Sequence, residues 1–234
     1  MRRALQLVLV FVTAGLGSAY SGEVIDRIVA VVNRGVVLQS DVELAVRYEA
    51  FLEGRAVGEV SDKDYRKALD RLVDQELLRQ EMGEALTIPA SEVQARVAEI
   101  RSQFPEGRVE SDWQARLGKY GLTSADLAER VRVQLELWRF VELRLRPNVR
   151  VDDSAVDSYY RDEFLPRLRE SGAEDVPLTE VSARIRQILV ERNVDQLLSA
   201  WLHNLRDQSE VHLELDKHSP GVVSSAERVA NKAQ

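Results

Sequence analysis

Apolar positions along the chain follow three different rhythms. From Val24 to Val32, and again from Val36 to Leu38, they form short, nearly unbroken runs. Asn33-Arg34-Gly35 separates the two runs with residues that tolerate positive φ, as a hairpin turn requires. This pattern predicts a strand over 23–32, a tight turn, and a return strand over 36–38.

From Ser40 onward the period changes to that of a helix. Ser40-Asp41-Val42-Glu43 has the residues of a capping box, in which a hydroxyl and an acidic side chain satisfy backbone N–H groups reciprocally. It predicts a helix from Asp41 to about Glu53, closed by Gly54. Ser61-Asp62-Lys63-Asp64 caps a second helix to about Leu86, with Tyr65, Leu69, Leu72, Val73 and Leu77 at helical spacing. A third starts near Pro89 and Ser91, carries Val93, Val97, Ile100 and Phe104, and breaks at Pro105-Glu106-Gly107. A short fourth holds Trp113, Leu117 and Tyr120. Thr123-Ser124-Ala125-Asp126 caps a long fifth, stopped by Pro147. A sixth is expected over 153–169, then a linker over 171–177, then a seventh helix over about 178–207.

The third rhythm closes the chain. Val211-His212-Leu213-Glu214-Leu215 alternates with period two, like an edge strand. A lone two-stranded hairpin is marginal in water, and residues 211–215 are the best third strand on offer. The expected fold is therefore mainly α: a helical domain with a small antiparallel sheet, formed by the N-terminal hairpin and the C-terminal strand.

The fifth helix carries more apolar residues than one face needs. One stripe is Leu127, Val131, Leu135, Trp138 and Leu145; a second is Val133, Leu137 and Phe140. A helix apolar on two sides is either enclosed in a core or lines a groove. Val133, Leu137, Phe140 and Trp113 are the candidate contacts for an apolar client under the groove reading. The aromatic Trp113, Tyr120 and Trp201 also fit a core, since rings bury large areas.

Composition narrows the picture further. The first residues read as a secretory signal peptide over 1–19: Arg2 and Arg3, an apolar stretch from Ala4 to Leu16, then Gly17-Ser18-Ala19. The stretch is shorter than the ~20 apolar residues of a membrane span. Cleavage after Ala19 removes two of 32 basic residues and leaves 30 against 39 acidic ones, a charge of −9. Such a charge argues against nucleic-acid and anionic-membrane binding. Residues 20–216 are expected to form one core unit, and 217–234, small and polar, a disordered tail.

Candidate chemistry is sparse. The chain has no cysteine, which excludes disulfides, thiol catalysis and thiolate metal sites. His203, His212 and His218 all lie near the C-terminus. Sequence patterns for zinc hydrolases, serine hydrolases, P-loops and dinucleotide folds are missing. Carboxylates sit at the spacing of solvated helix pairs. No catalytic residue, cofactor or metal site is expected.

The stretch EVIDRIVAVVNRGVVLQSDVE resembles the start of the mature SurA-type periplasmic chaperones. The likeness carries the hairpin, Asn33, Gly35, the Val36-Val37-Leu38 return strand and the Ser40-Asp41 helix start. RLVDQELLRQEMGEALTIPASEVQARVAEI is similar to that family's next helices. GLTSADLAERVRVQLELWRFVELRLRPNVRVDDSAVDSYYRDEF resembles its last N-terminal helix and exit, and EVSARIRQILVERNVDQLLSAWLHNLRDQSEVHLEL its C-terminal helix and final strand. The resemblance spans about residues 23 to 215. The family usually carries one or two parvulin-type prolyl isomerase domains where this chain has only residues 171–177. An independent domain needs ~50 residues, so none fits, and the family's catalytic residues have no positions here.

The resemblance implies an ATP-independent periplasmic holdase for unfolded outer-membrane β-barrel precursors, with the outer-membrane assembly machinery as a further partner. An adaptor for one folded envelope protein is the alternative, and a prolyl isomerase with an unfamiliar site ranks third.

Overall fold

The computed structural model describes residues 26–214. The expected leader (1–19), the first residues of the opening strand and the expected tail (217–234) lie outside the described residues. Strands β1 (Ile28–Val32) and β2 (Gly35–Leu38) pair antiparallel, with Val32 opposite Gly35. Asn33 takes the left-handed conformation at the turn, with φ 52°. Gly35 serves a different need from the positive φ read from the sequence. A Cβ there would lie 1.8 Å from Oε1 of Glu76. That carboxylate is held by Arg79 and Gln80, each at 2.7 Å. Glycine is required for room.

Helix α1 (Gln39–Glu53) begins before the expected cap. Gln39 N donates to Arg27 O at 2.7 Å, so the strand ladder's last rung is already the first helical residue. Ser40 therefore lies inside the first turn and does not cap it; its hydroxyl donates to the carboxylate of Asp26 instead. Asp41 accepts from Leu38 N at 3.2 Å in its place. Gly54, φ 67°, closes the helix in the left-handed conformation.

Helix α2 (Asp62–Met82) has the cap that the sequence predicts: Ser61 N and Oγ both donate to Asp64, at 2.9 and 2.7 Å. These bonds hold the Asp64 carboxyl down at about 2. The helix stops at Gly83, short of Leu86. Helices α3 (Ala90–Ser102), α4 (Glu110–Lys119) and α5 (Ser124–Leu145) follow. At α5 the box is reciprocal: Asp126 N donates to Thr123 Oγ1 at 3.1 Å and Thr123 N to Asp126 at 2.8 Å.

The expected sixth helix is a composite. α6 (Asp153–Tyr159) widens into one π turn over Tyr160–Phe164, then continues as α7 (Leu165–Glu170). Pro166 has no N–H for the carbonyl one turn back, which favours such a local change of pitch. Helix α8 (Leu178–Gln208) has 31 residues and is about 46 Å long. It delivers β3 (Val211–Leu213) to the free edge of β1, giving the order β2-β1-β3. The two ends of the described chain meet in one sheet, as the periodicity predicted; β3 ends at Leu213, and Leu215 of the expected strand lies outside the described residues.

Two apolar clusters support this arrangement. The first lies between the sheet, α2, α5 and α8 and includes Ala30, Val32, Leu77, Val141, Val194 and Leu205. The second joins α1, α3, α4 and the first half of α5 around Phe51, Leu117 and Leu127. Beyond both, α6 and the π turn pack on α8, and Val156 and Ile185 are buried there. Arg192 clamps Glu163 bidentately there, at 2.8 and 3.0 Å.

Asn33 joins three elements. Its Nδ2 donates to Gln80 of α2 at 2.8 Å and to Ser209 at 3.1 Å, and its Oδ1 accepts from Glu210 N at 2.9 Å. Asn33→Ala loses these bonds and leaves in the left-handed region a residue without the short polar side chain that lets Asn tolerate it, at a combined cost of about 2 kcal/mol. Urea unfolding is expected to show this loss, with Asn33→Gly milder because it keeps the φ. Equal loss in the two variants would refute the backbone part of the account.

Candidate functional site

Helix α5 is the element on which both clusters converge. Its first half sends Leu127 and Val131 into the second cluster, and its last turns send Val141 and Leu145 into the first. Between them the stripe read from the sequence is interrupted. Trp138, expected in the core with Val131 and Leu145, is 58% exposed. The last residue of its stripe that packs on the second cluster is Leu135, and the first cluster takes Leu137, Phe140 and Val141, on other faces of the helix.

The second stripe of α5 is partly covered. Val133, Leu137 and Phe140 are half-buried. Leu137 and Phe140 pack against the first cluster, and the Phe140 ring meets Trp201 of α8 at 5.8 Å between centroids. Such a pair contributes ~0.5–1.5 kcal/mol beyond its burial. The stripe is thus neither fully enclosed nor an open face.

Two exposed leucines adjoin this ring pair. Leu143, three residues after Phe140, is 65% exposed; Leu197, four residues before Trp201, is 39% exposed. Residues three and four apart adjoin on a helix surface, so Phe140 and Leu143 continue into Trp201 and Leu197 as one seam along the α5–α8 contact. Leu143 and Leu197 escaped the sequence reading because neither belongs to its helix's main stripe. The doublet Leu197-Leu198 was the available signal: consecutive residues point about 100° apart on a helix, and it is Leu198 that packs on the first cluster.

Trp113, the fourth candidate contact, does not belong to this surface. It is 2% exposed and sits in the second cluster, with Phe51 at 5.6 Å and Phe104 at 6.2 Å. Its spacing with Leu117 on α4 reflects core packing, so its assignment as a client contact is corrected.

Charged groups near these side chains are paired to other helices or along their own. Arg139 holds Glu92 at 2.6 and 2.8 Å, tying α5 to α3. Arg206 holds Asp74 at 2.6 Å and the carbonyl of Asp70 at 3.0 Å, tying α8 to α2; the first of these contacts raises the Arg206 pKa. Glu136 is the one buried charged residue among those described and pairs with Arg132 at 3.0 Å. His203 and Asp207 face each other at 3.5 Å on the exposed side of α8. Among the described residues no group of three or more His, Cys, Asp or Glu could hold a metal ion. No helix among them is long and apolar enough to cross a membrane. What the arrangement offers is apolar contact, presented by two helices whose spacing is fixed by buried side chains and ion pairs.

No curated protein matches the chain. A protein-family model, the SurA-like N-terminal domain, matches residues 4–140, from before the hairpin to Phe140 of α5. No parvulin domain is evident in the 234 residues. On this match, which covers more than half its length, the chain belongs to the SurA-like N-terminal domain family.

Proposed function

We propose that this protein is an ATP-independent holdase of the periplasm, binding unfolded outer-membrane β-barrel precursors along the α5–α8 seam. The observation that carries the reading is the contact of Phe140 with Trp201, flanked along each helix by exposed Leu143 and Leu197, on a member of a periplasmic chaperone-type family. A barrel precursor in water exposes strands with apolar residues at alternate positions and aromatic girdles. A shallow apolar surface holds such segments by contact area alone. Release needs no nucleotide: the client leaves by mass action once it folds elsewhere. The protein's own contribution is binding, with no bond made or broken.

Suppression of aggregation of an unfolded outer-membrane protein by near-stoichiometric protein is the direct test. The seam is tested by Leu143→Ser together with Leu197→Ser. Both side chains are exposed, so the thermal midpoint should move little. Burying one leucine is worth ~1.5–3 kcal/mol, so losing two partial contacts should weaken client binding by about tenfold or more. Unchanged suppression by the double variant would remove the seam from the account. Capture of one folded protein at fixed stoichiometry, with no effect on unfolded chains, would replace the holdase by an adaptor.

A further inference from the structure

The edge of β1 covered by β3 is held unevenly. At one end Asn33 N donates to Glu210 O at 2.8 Å, and the Asn33 side chain binds Ser209 and Glu210. Just before it, Leu205 is buried in the first cluster and Arg206 is clamped to α2. These contacts anchor the chain as far as Glu210 without any help from β3. The strand itself has only three residues. Val211 is half-buried, whereas His212 and Leu213 are exposed. Its far end is marked by a single bond, Glu214 N to Val29 O at 2.9 Å.

A strand that buries so little apolar surface opens at far lower free energy than the core beneath it. Val211–Leu213 can peel from β1 while α8 stays docked, because the anchor lies upstream. Peeling bares the backbone donors and acceptors of β1 between Val29 and Asn33. It also uncovers the border of Ala30 and Val32, whose inner faces have no exposure. The ligand for such an edge is defined by the strand that occupies it: extended, antiparallel, and apolar at alternate residues, as Val211 and Leu213 are opposite Val32 and Ala30.

We propose that the β1 edge is a strand-exchange site, where an extended segment of an unfolded chain with apolar residues at alternate positions replaces Val211–Leu213. The inference deepens the holdase reading and rests on it. It adds a backbone-directed contact, which serves clients of any sequence with that alternation, to the side-chain contacts of the seam.

A reversible lock tests it on the full chain. Val32 and Val211 are directly opposite. They form a pair that does not exchange backbone bonds, the closer of the two antiparallel pair types. Val32→Cys with Val211→Cys yields one disulfide, since the chain has no cysteine of its own. The probe is a dye-labelled ten-residue peptide alternating valine and threonine between terminal lysines, read by fluorescence anisotropy. The reduced protein is expected to bind it at least about fivefold more tightly than the oxidised protein. N-methylation at alternate residues of the peptide, which blocks strand pairing, should abolish that difference. A second variant, Glu214→Pro, removes the end bond at an exposed position and should strengthen peptide binding about two- to tenfold. Equal affinity of the oxidised and reduced forms overturns the proposal, as does weaker binding by folded Glu214→Pro. If wild-type protein fails to suppress aggregation, the holdase reading falls. If suppression is intact in both redox forms and peptide affinities are equal, only strand exchange falls.

Discussion

Replacing Phe51 with alanine should cost about 3–5 kcal/mol of stability, the range for truncating a fully buried phenylalanine. Its side chain has no exposed surface. Its ring meets Phe104 at 5.1 Å and the rings of Trp113 and Tyr120 edge-on, both at 5.6 Å. The guanidinium of Arg116 lies 5.4 Å from its centroid and 4.0 Å from that of Phe104. Alanine would remove the one ring common to these contacts, and three large neighbours cannot collapse together to fill the space. Domains of this kind have total stabilities of about 5–15 kcal/mol, so the variant should populate unfolded chain at modest urea. Urea unfolding followed by near-ultraviolet circular dichroism, to which buried Trp113 contributes along with the other aromatic residues, is the measurement. A loss below about 1 kcal/mol would mean that the second cluster is not a packed core.

Ile185→Ala should cost about 2–5 kcal/mol, but the loss should fall on one part of the molecule. Between Asp153 and Arg192, Val156 and Ile185 are the only fully buried apolar side chains among the described residues. The remaining hold is more exposed: half-buried side chains such as Phe164 and Ile188, the Arg192–Glu163 clamp, an Arg186–Asp153 pair, and Tyr160 donating to Val176 O at 2.7 Å. Exposed ion pairs contribute little individually. A core of two residues that loses one should open locally, while the clusters under the sheet and around Phe51 stay closed. Hydrogen exchange should rise across 153–190 and remain unchanged in α1 and β1. A uniform rise would show that residues 153–190 and the two clusters unfold as one unit.

The part of the candidate site that could be read from the sequence was the α5 surplus. Val133, Leu137 and Phe140 repeat at helical spacing, and the structure brings Leu137 and Phe140 against the first cluster and Phe140 against Trp201. Trp113 and Trp138 exchanged their expected environments. Nothing in the spacing of an aromatic residue states whether a neighbouring helix arrives to cover it. At Trp113 the chain brings Phe51 and Phe104; at Trp138 the first cluster takes the neighbouring Leu137 and Phe140 and leaves the indole facing solvent.

By itself the sequence determined the local elements and their closure. The hairpin turn, the caps at Ser61 and Thr123 and the stops at Gly54 and Pro147 depend on interactions within about four residues, which the chain carries wherever it goes. It also determined that the last strand must seek the first, because two strands alone lack stability. Only the tertiary structure decided that Ser40 would bind Asp26 and leave the cap to Asp41, that Gly35 is needed for space under Glu76, and that Leu143 and Leu197 would be left facing solvent. Each of these turns on which distant residue occupies a given volume, and burial is a property of the neighbours that pack around a side chain, not of the side chain's position in its own helix.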